Sequence, residues 1–173
     1  FDYQPDAVMS AKESDIPVTP AIRVLRESGQ SFALQTYTYV EQGGTRNAAG
    51  QLGVSEHAVI KTIVLETDAR APLICLMHGD RAISTKQLAR ALGVKHVGPC
   101  TPETAQRHTG YPVGGTSPFG LRKPLPVYAE ETLFELSEIW INAGRRGVLA
   151  RMSPGVLETL LKPIRVKVAI DHE

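Results

Sequence analysis

From Gly110 to Gly120 the chain reads GYPVGGTSPFG, which puts four glycines, two prolines and two hydroxyl side chains into eleven positions. Glycines let backbone N–H groups come close to a ligand, so such a run can form a nest for an anion or for the oxyanion of a reacting ester. The same composition also makes an elaborate turn between strands, and the residues alone leave both readings open. Neither phosphate-binding signature fits. No Gly-Lys-Ser/Thr follows the glycines and no GxGxxG opens a helix, which argues against nucleoside triphosphates and NAD. Lys61 is the second signal. It stands inside the apolar run VIKTIVLE (59–66), where strand parity groups it with Val59, Ile63 and Leu65. A long cation there either snorkels from an edge strand or faces an anion or a reacting carbonyl, where burial would tune its acidity.

Other chemistries find less support. Cys75-x2-His78 with His96-x3-Cys100 resembles a Cys2His2 set, but the spacing is loose for zinc and Cys75 lies in an apolar run where small buried cysteines are ordinary. The residues alone therefore give zinc little support. Ser117 precedes Pro118 inside the Gly-rich run, yet no GxSxG elbow surrounds it and no histidine is placed beside it by sequence, so a protein nucleophile is not indicated.

The elements that must position these residues follow from periodicity and caps. Thr19-Pro20 opens a helix through Ile22 and Leu25 that ends at Gly29. Alternation over Ser31–Val40 predicts a strand with Tyr37 and Tyr39 on one face. Thr45–Gly53 fits a short helix, Val59–Glu66 a buried strand, and Leu73–Met77 another, closed by a turn at His78-Gly79-Asp80. Ser84 with Gln87 is a capping box for a helix ending at Gly93, and Thr101-Pro102 opens one toward His108. Strands are expected at Val127–Ala129 and Glu138–Asn142, a turn at Gly144–Gly147, a helix after Ser153-Pro154, and one last strand over Ile164–Ile170. Helices and strands are interspersed without a βαβ cadence, so the class is α+β with a mixed sheet.

The length of 173 residues, 42% of them hydrophobic, suits one core; residues 1–18 are expected to be a flexible lead-in, the chain starting at Phe, and 19–173 the domain. The formal charge of +1 excludes a chain that coats DNA through a global field. It is unevenly spread, however. From Arg81 to Lys123 seven basic residues face one acid, Glu103, a stretch that is either a solvated face or a surface for a polyanion. No apolar run reaches the roughly 18 residues of a membrane span and no basic-then-apolar leader opens the chain, so a cytoplasmic protein without membrane contact is expected. Two cysteines suit a reducing compartment and leave one bridge between them open.

Thr19-Pro20-Ala21, the SFALQTY strand ending at Tyr37, Ile60-Lys61-Thr62, TGYPVGGTSPFG (109–120) and Gly144-Arg145-Arg146-Gly147 come in an order that resembles the YbaK family of prolyl-tRNA editing domains. The likeness spans roughly residues 19–170. It implies a mixed, barrel-like sheet with flanking helices, a cavity for the aminoacyl-adenosine end of tRNA, and no metal or cofactor. The family's essential lysine falls on Lys61, its tyrosine on Tyr37, the neighbouring threonine on Thr62 and its substrate-lining glycine on Gly114. Gly115, Ser117 and Asn142 are carried along as substrate-binding candidates. The implied activity is deacylation in trans of mischarged tRNA(Pro), with Cys-tRNA(Pro) cleaved by its own thiol, and with prolyl-tRNA synthetase as a further partner. Asn142 stands where Cys-specific members carry serine, and Leu149 where they carry aspartate. These departures keep a deacylase for alanyl or other small aminoacyl groups open, as well as a non-catalytic module that binds a tRNA end.

Overall fold

The computed structural model describes residues 13–172, so most of the expected lead-in lies outside the described residues. A 3-10 turn at Glu13–Asp15 brings Ile16 into the core. Thr19 then caps the first helix by accepting from the Ile22 N–H (3.0 Å), and its hydroxyl donates to the Ala143 carbonyl (2.5 Å), which ties that helix to the sheet.

The described residues form helices α1 (Pro20–Ser28), α2 (Gly44–Leu52), α3 (Thr85–Leu92), α4 (Pro102–Thr109) and α5 (Gly155–Leu161). The strands are β1 (Ala33–Thr36), β2 (Val59–Thr67), β3 (Pro72–His78), β4 (Arg81–Ile83), β5 (Val97–Pro99), β6 (Val127–Glu130), β7 (Ile139–Arg145), β8 (Val148–Met152), β9 (Ile164–Val166) and β10 (Ala169–Asp171). The main sheet runs β1-β8-β7-β2-β3-β6-β9, with β5 on β2, while β10 and β4 pair separately. It is mixed: β2 runs antiparallel to β3 and β5 but parallel to β7. The expected α+β class with a mixed sheet and flanking helices is what the chain adopts.

Parity along β2 divides the interior. Ile60 and Val64 join the main core with Ile74, Leu76 and Ile141, while Ile63 and Leu65 pack with Cys75, Met77, Leu88 and Val97 beneath α3. Lys61 shares the second side, opposite Met77 in register.

Two expected strands differ. Of Ser31–Val40 only Ala33–Thr36 pairs with β8; after the Tyr37 N–H reaches the Gly147 carbonyl, Gln51 of α2 takes both the N–H (2.8 Å) and the carbonyl (2.8 Å) of Thr38 and draws the chain off the sheet. Ile164–Ile170 is two strands in two sheets. The Glu130 carboxylate, 3% exposed, accepts from the N–H groups of Val168 (2.6 Å) and Ala169 (2.8 Å), and this buried acceptor holds the break between β9 and β10.

Candidate functional site

Where the chain leaves β1 it forms one wall of a cavity of about 630 Å³. The other walls are the start of α2, the middle of β2, the segment from Pro99 into α4, the Gly-rich loop and the β7–β8 turn. Tyr37, Lys61, Thr62, Gly114 and Asn142 all line it. Gly115 and Ser117 do not. The Gly115 N–H is spent on the Pro112 carbonyl (3.0 Å), and Ser117 is fully buried beneath the loop with its hydroxyl oxygen accepting from the Phe119 N–H (3.2 Å).

The Gly-rich loop is anchored at both ends and presented in the middle. Tyr111 is buried and its hydroxyl donates to the Phe119 carbonyl (2.5 Å), so the loop closes on itself over the core. Its exposed centre is clamped to the β7–β8 turn. Asn142 donates from Nδ2 to the Gly114 carbonyl (3.0 Å), while its Oδ1 accepts from the N–H groups of Gly144 (2.7 Å) and Arg145 (3.2 Å). Arg146 donates from Nε to the Val113 carbonyl (2.8 Å) and lies over the Tyr39 ring, 5.0 Å from its centroid. Gly114 has φ +84°, and a Cβ there would sit 2.7 Å from Tyr39 Cε1, so both the backbone and the neighbouring ring demand glycine. Sequence reasoning missed Tyr39 and Arg146 as cavity residues. The signal was available in the tyrosine-bearing alternation and the GRRG turn.

Lys61 is half-buried, and its Nζ donates to the Arg81 carbonyl and lies 3.2 Å from His172 Nε2. Burial lowers its pKa below the ordinary lysine value, partly countered by the negative charges of Glu56 and Asp80. Two of its three ammonium positions are engaged by the Arg81 and His172 contacts, and the residue is among those that line the cavity. On the opposite face of β2, the Thr62 hydroxyl is buried and has no hydrogen-bond partner among the described residues. Its oxygen is sealed from solvent, so it carries the cost of an unmade hydrogen bond in the wall of the cavity. Burial is also the main cause that raises the Tyr37 phenol above its usual value.

The thiols and histidines are arranged differently from a metal centre. Cys75 and His78 are three residues apart on β3 and so project to opposite faces of the sheet. Both cysteines are free. Burial pushes the Cys75 thiol up to about 12 and the Cys100 thiol, at the cavity edge, up to about 11, so neither ionises at neutral pH. His57, His78 and Asp80 do bring potential ligand atoms within 4.8 Å of one another. Yet the two rings stack at 3.6 Å and 8°, which sets their in-plane lone pairs in parallel planes. Both nitrogens of His78 are also engaged, by the His57 carbonyl (2.7 Å) and the Thr132 hydroxyl (2.6 Å). The cluster is a hydrogen-bonded brace behind Lys61.

The cavity therefore combines a cation, a Gly-rich rim and a buried unpaired hydroxyl in its wall, and among the described residues that line it there is no histidine to pair with a hydroxyl or thiol. Known proteins share the framework. Among solved structures, a candidate trans-editing enzyme for prolyl-tRNA synthetase superposes with a TM-score of 0.78 at 23% identity, covering 89% of this chain and 99% of that one. The hypothetical protein APE2540 does so with 0.80 at 22%, covering 88% and 100%. At these identities the likeness shows the fold. In sequence, a protein of Enterococcus faecalis named as a candidate Cys-tRNA(Pro)/Cys-tRNA(Cys) deacylase, EbsC, is 27% identical over 151 residues, 87% of this chain and 92% of its own. A proline–tRNA ligase of Nitratidesulfovibrio vulgaris is 35% identical over 82 residues, 47% of this chain but only 14% of the ligase. No helix among the described residues is long and apolar enough to cross a membrane. The family model of the aminoacyl-tRNA editing domain matches residues 43–160, from the start of α2 through the Gly-rich loop and the β7–β8 turn to α5, and the chain belongs to that family.

Proposed function

We propose that this chain is an aminoacyl-tRNA deacylase acting in trans on mischarged tRNA(Pro), with Cys-tRNA(Pro) as its substrate. The observation that carries the reading is the cavity of about 630 Å³, within the roughly 300–1,000 Å³ range of small-ligand sites and therefore of a size for an aminoacylated terminal adenosine. Lys61 provides the charge to hold or polarise the ester. The Thr62 hydroxyl, which has no partner among the described residues, can turn to a substrate that reaches it, and the Gly-rich rim around Gly114 sets the position of the carbonyl.

In this reading the nucleophile is the substrate's own thiol, which fits a cavity whose one thiol, Cys100, is pushed up to about 11 chiefly by burial. The cysteinyl sulfur attacks its own ester carbonyl, the C–S bond forms, the C–O bond to the ribose breaks, and the thiol proton passes to the departing ribose oxygen. The products are a thiolactone and free tRNA. Orientation and charge stabilisation are all that the protein must add.

A second reading rests on Leu149 and Asn142. Leu149 makes part of the wall apolar, and all but one N–H of the Asn142 amide is spent on the loop and turn, which suits a small aminoacyl group such as alanyl. Deacylation of Cys-, Ala-, Ser- and Pro-tRNA(Pro) under single-turnover conditions separates the two. Fast cleavage of the cysteinyl ester with thiolactone among the products is expected; equal cysteinyl and alanyl rates without thiolactone would assign the second substrate class, and no turnover of any ester would leave a binding module.

A further inference from the structure

We infer that a second concavity, between α3 and β5, binds the phosphodiester backbone of the acceptor end of the tRNA. This rests on the deacylase reading for its partner, but its geometry is independent of the catalytic cavity. The concavity measures about 460 Å³ and is lined by Lys86, Arg90, Lys95 and His96, with the Thr85 hydroxyl beside them and no carboxylate. Lys86 and Arg90 are one helical turn apart on α3 and present their charges on the same exposed face. Like charges in that spacing repel, and no acid stands among the residues that line the concavity to offset them.

The structure also sorts the basic stretch Arg81–Lys123, which from sequence alone reads first as a solvated face and second as a polyanion surface. Arg81 is bound to Asp171 (2.9 Å), and the Arg122 side chain lies against Gly110. Lys86, Arg90 and Lys95 take no part in any ion pair among the described residues, so their charge is unspent. They converge on one hollow. Isolated cations spread over a solvated face would not do so.

Position ties this hollow to the catalytic one. Val97 lines the basic concavity, and Pro99, at the other end of the same strand, lines the candidate active site. Only Gly98 lies between them, so the two are about 7 Å apart at ~3.3 Å per residue. Among the described residues β5 pairs only with β2 and forms an edge that a nucleotide strand can pass around. A terminal nucleoside seated in the cavity thus leaves the phosphates that precede it within reach of Lys86, Arg90 and Lys95.

The test uses the full chain carrying Lys86→Ala, Arg90→Ala and Lys95→Ala, with a control that removes three exposed cations elsewhere, Arg23, Arg165 and Lys167. Binding of an uncharged tRNA(Pro) acceptor-stem hairpin is followed by fluorescence anisotropy across a salt series, and deacylation is measured on both aminoacyl-tRNA and an aminoacyl ester of adenosine alone. The expected result is at least a 10-fold weaker hairpin affinity, a log–log salt slope shallower by about 2 to 3 because each lost phosphate contact removes about 0.9, and an unchanged rate on the adenosine ester. Equal loss in the control variant, or an unchanged slope, would overturn the assignment. Should the wild-type chain bind the hairpin through these residues yet cleave no ester, the phosphate site stands and the deacylase reading fails.

Discussion

Gly114 carries the sharpest consequence of the loop geometry. Its φ of +84° places it in the left-handed region, where an alanine costs roughly 1–2 kcal/mol. The new Cβ would also stand 2.7 Å from Tyr39 Cε1 and 2.8 Å from its hydroxyl, well inside the ~3.5–4.0 Å of carbon contact. Tyr39 is half-buried at the cavity edge, so its ring can swing aside, giving up the Arg146 stack at a cost of about 0.5–1 kcal/mol. Gly114→Ala should therefore destabilise the fold by about 2 kcal/mol, a fall in Tm of roughly 4–8 °C for a domain of this size. The displaced ring would occupy part of the cavity and reduce kcat/KM for deacylation more than 10-fold.

A double-mutant cycle with Tyr39→Ala separates the two contributions. In the Tyr39→Ala background the same substitution should cost only the backbone part, leaving a coupling of about 0.5–1 kcal/mol between the two positions. Thermal and urea denaturation give the stabilities, and single-turnover deacylation gives the rates. A Gly114→Ala protein that loses less than about 0.5 kcal/mol, or the same cost in both backgrounds, would refute the packing argument. Undiminished turnover by the destabilised variant would reduce the loop to a structural turn.

Three further outcomes follow from the cavity and its brace. Thr62→Val keeps the shape and deletes an unsatisfied hydroxyl, so stability should rise by about 1 kcal/mol while kcat/KM falls, seen as a higher Tm beside a slower rate. Lys61→Met should abolish turnover without lowering Tm at neutral pH, because burial holds the folded lysine pKa below its unfolded value and the folded state carries a penalty for the ammonium. That penalty fades as pH rises toward 10.5, so any stability gain of the variant should shrink along that limb, and wild-type activity should decline at a pH below 10.5. His78 is 1% exposed, and its pKa is lowered chiefly by burial, so the unfolded chain binds a proton that the folded one refuses. Stability should fall as pH drops below about 6.5 toward the folded value, and His78→Gln should flatten that limb in pH-dependent denaturation.

Caps and periodic apolar positions made most elements legible before the fold was known. Thr19, Ser84 and Thr101 each accept an N–H two or three residues into the helix they open, and Gly29, Gly93 and Gly110 end those helices in the left-handed conformation. These are local effects, and local sequence encodes them. The failures are long-range. Nothing near Thr38 announces that Gln51 will take its backbone groups, and the break at Val168 depends on a carboxylate 38 residues away. Within the site, Lys61 was visible as a cation misplaced in an apolar strand. Its neighbours Arg81 and His172 were not, because strand pairing between β4 and β10 brings them in from 20 and 111 residues away.

Asn142 shows how a departure from a family pattern can be read through structure. As a candidate that lines the cavity it suggests direct contact with substrate, yet its carbonyl oxygen is held by two backbone amides of the turn and its amide by the Gly114 carbonyl. Every polar direction of the side chain but one N–H is occupied. A serine in its place would be too short to span both the turn and the loop, which would loosen the hold on Gly114 and let the rim settle elsewhere. In the proposed deacylase Asn142 would act on selectivity by fixing where the loop stands, and Leu149 by making the wall behind it apolar. The rim is held on two sides, by Asn142 and by Arg146 on Val113, and placing an ester carbonyl is the main demand of the proposed reaction, in which the nucleophile arrives with the substrate.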